Sequence, residues 1–163
     1  MLGERLKDPY LKEGPNNNVL KREINGIGIL PLKTVFNRKK KTRQVNCRSL
    51  WPCEATINGF EIHNGKSDIV YKNMDLKIMP LFEDDNLGWY FENNNGGSTV
   101  GTYIHGIFEN DLWRESYINL IRNKKELPIL EKKIKNYKIK RDSIIENLAI
   151  QFNKYINLSK FLN

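Results

Sequence analysis

Apolar and polar residues alternate along Thr56-Ile57-Asn58-Gly59-Phe60-Glu61-Ile62-His63, the period of an extended strand. The alternation predicts Phe60 and Ile62 on one face and Glu61 and His63 on the other, and Asn64-Gly65 then reads as a turn. Upstream, Gly26 to Leu32 is a short apolar run broken by glycine and proline, which reads as a strand and its exit. Downstream, Glu92 to Ser98 is a loop that leads into Thr99-Val100-Gly101-Thr102-Tyr103-Ile104, a strand rich in β-branched and aromatic residues and closed by His105-Gly106.

From Asp111 the period changes. Leu112, Trp113, Ser116, Tyr117, Leu120 and Ile121 recur at helical spacing, with acidic Glu109 and Asp111 at the positive end of the helix. A lysine-rich connector interrupted by Pro128 follows, and Ser143-Ile144-Ile145-Glu146 has the form of a capping box opening a second helix. Ile144, Ile145, Leu148, Phe152, Tyr155 and Ile156 would be its buried stripe. The expected organisation is an α/β fold with residues 1–123 forming a sheet and a histidine-bearing strand–helix unit, 124–141 a basic connector and 142–163 a C-terminal helix.

A chain of 163 residues with 39% hydrophobic content is expected to form one compact domain. No run approaches the ~18 to 20 apolar residues of a membrane span, and the N-terminus lacks the apolar centre of a signal peptide, so a cytoplasmic protein is expected. The net charge of +8 raises nucleic acid or an anionic membrane surface as partners. Its distribution weakens that idea: residues 38–43 contribute +5 and residues 124–141 contribute +6, leaving −3 elsewhere, and the aromatics are not interleaved with the basic runs as stacking platforms would be.

Cys47 and Cys53 are too few for a disulfide scaffold, their spacing is not that of a zinc site, and neither lies in a small-residue turn that exposes a nucleophile. Gly26-Ile27-Gly28 lacks the later glycine of a dinucleotide fingerprint, and no phosphate-cradling loop with its lysine is present. His105, at the end of an expected strand and followed by glycine, is the best candidate base. From spacing alone it serves either as a catalyst or as a hydrogen-bonded structural histidine. Glu61 and His63, two apart on one strand face, could share a proton or orient a substrate, or form a structural polar pair.

Four blocks in order make the sequence recognisable: Gly28 to Phe36, Lys41-Thr42-Arg43-Gln44-Val45, Gly59-Phe60-Glu61-Ile62-His63-Asn64-Gly65, and Gly101 to Asp111. They resemble the class I glutamine amidotransferase domain of the cobyric acid synthases, a CobB/CobQ-like group, and Asn119 to Arg122 and Asn147 to Ala149 resemble its C-terminal helices. The resemblance implies a flavodoxin-like sheet in which a cysteine thiolate attacks the amide of L-glutamine and His105 is the base, releasing ammonia. It further implies that the ammonia amidates carboxylates of adenosylcobyrinic acid a,c-diamide in a synthetase domain using ATP and Mg2+.

In that family the nucleophile stands in Gly-x-Cys-Gly-Gly-x-Gln-Met-Leu-Gly, and this chain opens with Met1-Leu2-Gly3, matching the last three positions. The resemblance therefore implies a C-terminal piece, contributing the base histidine and needing an N-terminal partner segment or chain for the cysteine and the ATP site. A non-catalytic relic or interaction module derived from the same domain is the alternative. Ile107 stands two residues after His105, where many class I enzymes keep a glutamate that orients the base, so the resemblance implies a dyad.

Overall fold

The computed structural model describes residues 2–12, 23–70, 76–130 and 136–156. These fall into two compact units, Met1–Ile107 and Phe108–Asn163. The division comes earlier in the chain than the 123/124 boundary expected from composition, and it separates His105 from the helix that follows it.

The first unit is built on two sheets. Strands β1 (Arg5–Lys7), β2 (Glu23–Asn25), β3 (Leu32–Ser49), β4 (Ala55–Ile69) and β8 (Ile104–His105) form one in the order β2-β1-β3-β4-β8. Strands β5 (Leu76–Pro80), β6 (Gly88–Asn93) and β7 (Ser98–Thr102) form the other in chain order. Among the described strand pairs only β1 and β3 run parallel. The long β3–β4 pair holds from Leu32↔Ile69 to Ser49↔Ala55, with a shift in register between Phe36 and Lys41. Residues 26–31 are irregular, so the strand begins at Leu32, where the apolar run was expected to end. Pro31 explains this: it has no N–H to donate to a ladder.

Asn64-Gly65 is not a turn but the middle of β4. Gly65 is needed there because β3 crosses close by; a Cβ at this position would lie 2.6 Å from Thr34 Cγ2. The expected alternation of β4 holds, and it is the Glu61 face that turns inward. Ile57 and Glu61 are buried and Phe60 is 48% exposed, because the inward face carries cationic partners for the carboxylate. Between the sheets, Leu30, Leu32, Trp89 and Phe91 form a buried cluster against Ile69, Ile78 and Tyr103. Each large side chain so buried contributes about 1.5–3 kcal/mol. On the opposite face of β6, Tyr90 meets Trp51 with ring centroids 4.9 Å apart.

The second unit holds α1 (Asp111–Lys124) and α2 (Tyr137–Tyr155). Trp113 is buried in α1, stacked on Tyr117 at 5.2 Å and edge-on to Phe108 at 5.5 Å. The second helix begins six residues before the expected capping box, so Lys138, Lys140 and Arg141 are helical and not part of a connector. Asn136 supplies the cap, its side chain accepting from the Ile139 N–H at 3.1 Å. Asp111 Oδ1 accepts from the Tyr137 N–H at 3.2 Å, and Arg141 pairs with Glu109 at 3.2 Å. These local partners outweigh Ser143 and Glu146, which end up in the helix interior. The expected stripe is not buried either: Ile144, Ile145, Leu148, Phe152 and Tyr155 are exposed. Residues 131–135 of the connector and 157–163 of the expected C-terminal helix lie outside the described residues. The sheets of the first unit and the helices of the second give the mixed α/β composition expected.

Candidate active site

His105 ends β8, a two-residue strand that pairs with β4 through Phe60↔His105 and Glu61↔Ile104. Directly opposed residues of an antiparallel pair share a face, and neighbours along a strand alternate. His105 therefore sits on the exposed face with Phe60, while Ile104, 4% exposed, points inward with Glu61. The ring stays accessible, and its Nε2 lies 3.3 Å from the Ile62 carbonyl oxygen.

Glu61 is the polar centre of the inward face. Its side chain is 1% exposed and takes Lys41 Nζ at 2.8 Å, Arg43 Nε at 2.5 Å and His63 Nε2 at 2.7 Å. Register supplies these partners, since Arg43 stands opposite Glu61 and Lys41 opposite His63. Burial pushes the Glu61 carboxyl up, but hydrogen bonds from Lys41, Arg43 and His63 outweigh it and bring the group down to about 2. Arg43 also reaches Asp84 at 2.9 Å, and that carboxyl too is held below its ordinary value: burial opposes the shift, while Arg43 and Asn86 prevail.

His63 connects this cluster to a second string of polar groups. Its Nδ1 is hydrogen-bonded with the Gly65 carbonyl, and its ring stacks on Tyr103 at 3.9 Å. The Tyr103 hydroxyl is hydrogen-bonded to Ser67, whose Oγ lies 2.6 Å from Thr34 Oγ1. Burial raises the Tyr103 phenol above its ordinary value, with Ser67 and Thr34 acting the other way, so it remains neutral. A cleft of about 310 Å³ opens beside His63 and Tyr103, bordered by Phe36 and Lys40.

Glu61 and His63 thus belong together, as their spacing implied, but the sheet lies between them and the His105 ring. Lys41, Arg43, Tyr103, Ser67 and Thr34 were not singled out from the sequence. Only the pairing of β3 with β4 gives Lys41, Arg43, Ser67 and Thr34 a common place, with Tyr103 reaching them from the link between β7 and β8, although the basic run 38–43 was a visible clue.

Neither cysteine accompanies His105. Cys47 pairs with Ile57 on the far edge of β4, three residues along from Phe60, which puts roughly 10 Å along the strand and two strand spacings between it and His105. Burial, then the nearby Asp84, raises the Cys47 thiol above its ordinary value, opposite to the depression a nucleophile needs. The Cys53 carbonyl accepts from Ser49 Oγ at 2.6 Å in the bend before β4. Among the described residues no group of three or more His, Cys, Asp or Glu side chains could hold a metal ion, and no helix is long and apolar enough to cross a membrane.

The chain belongs to the CobB/CobQ-like glutamine amidotransferase domain family, whose pattern matches residues 1–113. Over all 163 residues it is 61% identical to a cobyric acid synthase of Prochlorococcus marinus strain MIT 9215 and 59% identical to that of strain MIT 9301. It is 40% identical over 158 residues to the cobyric acid synthase of strain NATL2A, with 97% of this chain covered. The chain spans about a third of the length of these curated relatives, 32%, 32% and 31% respectively.

Proposed function

We propose that this chain is the histidine-bearing part of the glutaminase half of a cobyric acid synthase, acting in cobalamin biosynthesis with His105 as the general base. The observation that carries the reading is an accessible imidazole held at the end of β8, on the face of the sheet away from the Glu61 cluster. A cysteine outside these 163 residues, on a preceding segment or partner chain, gives its proton to His105 and attacks the carbonyl carbon of the L-glutamine side-chain amide. The protonated His105 then gives that proton to the leaving nitrogen, so ammonia departs and a thioester remains. Water releases glutamate from the thioester with the same histidine as base.

The ammonia amidates carboxylates of adenosylcobyrinic acid a,c-diamide. ATP with Mg2+, when bound to the synthetase portion, supplies the acyl activation. Glu61 and His63 support the sheet beneath the base. The experiment is reconstitution with the N-terminal portion of a relative such as the strain MIT 9215 synthase. Glutamine-driven amidation should fall at least ~10²-fold in His105→Asn, while amidation driven by free ammonia persists. Equal loss with both nitrogen sources, or no loss with glutamine, would favour a non-catalytic module instead.

A further inference from the structure

The residue two beyond His105 is Ile107, and the buried carboxylate closest in register, Glu61, lies on the opposite face of β4. No side-chain carboxylate described here is therefore placed to orient the base. We propose that the backbone does so: the Ile62 carbonyl accepts the Nε2–H of His105, and Gly59 lets β8 lie close enough for this bond to form. The ring is thereby held as one tautomer, with Nδ1 as the nitrogen that accepts a proton. This rests on the reading of His105 as the base.

Two observations support the assignment. A carbonyl oxygen can only accept, so the 3.3 Å contact of Nε2 with the Ile62 oxygen requires the proton on Nε2 and leaves a lone pair on Nδ1. At Gly59, a Cβ would lie 2.5 Å from the His105 carbonyl oxygen and 2.5 Å from Ile104 Cγ2, closer than nonbonded carbons approach. Any side chain there must push away the two residues of β8. Only two residue pairs tie that strand to β4, so a clash at Gly59 falls on both of its residues, and the ring moves with its backbone. Gly59 is a positioning residue in this sense; it touches the histidine's backbone and acts through it.

The test is the ring 15N spectrum of the 163-residue chain. It holds only two histidines, His63 and His105, so a His63→Asn variant identifies the His105 signals. At a pH where the ring is neutral, the wild-type chain should give the Nε2–H pattern for His105. Gly59→Ala should lose it for the averaged pattern of a free imidazole, with the His63 signals unchanged. Should that variant unfold, Gly59→Ala combined with Ile104→Ala removes the side-chain clash but keeps the clash with the His105 carbonyl, and should lose the pattern too. An averaged or Nδ1–H ring in the wild type, or a folded Gly59→Ala chain that retains the Nε2–H pattern, overturns the proposal. These spectra do not depend on glutamine chemistry, whereas the His105→Asn reconstitution tests the base assignment alone.

Discussion

Glu61→Gln keeps the shape of the most buried charged side chain and removes its charge. In the folded chain this carboxyl sits at about 2 against an ordinary 4.5. A depressed carboxylate contributes stability that is fully present above 4.5 and is lost as the pH falls toward 2. At 1.36 kcal/mol per unit the ceiling is about 3 kcal/mol. Lys41 and Arg43 are 49% and 45% exposed, so solvent screens them and a contribution of ~1–2 kcal/mol is the better expectation. The neutral amide also leaves Lys41 without its carboxylate and Arg43 with Asp84 alone, so the variant should unfold about 2 kcal/mol more easily at neutral pH. Urea melts followed by far-UV circular dichroism at pH 7 and pH 3 measure this. The gap between wild type and variant should shrink by more than half at pH 3, where protonation has removed most of the wild type's advantage. A gap of the same size at both pH values, or none at pH 7, would refute the placement of this charge at the centre of the inward face.

Two further outcomes are expected. The 163-residue chain incubated with L-glutamine should release no ammonia above a blank in a coupled glutamate dehydrogenase assay, since Cys47 and His105 lie far apart on β3 and β8; release that disappears in His105→Ala would contradict this. Cys47, its thiol raised by burial and by Asp84, should be alkylated by iodoacetamide several-fold more slowly than free cysteine at pH 7.5, and mass spectrometry showing it labelled as fast as the free amino acid would count against the packing of β3.

The local signals in the sequence located several elements well. The loop from Glu92 to Ser98 is close to the tight turn between β6 and β7, and α1 begins at Asp111 where the period changes. Alternation also found the heart of β4, but it could not assign inside and outside, because the residues that make Glu61 tolerable indoors are Lys41 and Arg43, eighteen or more positions away. Asn64-Gly65 has turn chemistry, yet its glycine is used for close approach of β3. At Ser143 the capping pattern was genuine in form, but Asn136 and the contacts of Asp111 and Glu109 had already started the helix. Of the candidate site, the position of His105 at the end of a strand was legible. Its separation from Glu61 and His63 was not, since that depends on strand register.

Between Thr102, the last residue of β7, and Ile104, the first of β8, there is only Tyr103. Its N–H donates to the Leu87 carbonyl at 2.8 Å, its ring is sandwiched in reach of His63 and Trp89, and its hydroxyl is fastened to Ser67. One residue reaches at most ~3.6 Å, so the step from one sheet to the other contains no slack. Mechanically Tyr103 is a fulcrum: a displacement of β7 reaches His105 across one anchored residue, with no loop on the way to absorb it. Changes in the packing of Trp89 or Phe91 would accordingly be felt as a change in where the imidazole points, far from any residue that touches it.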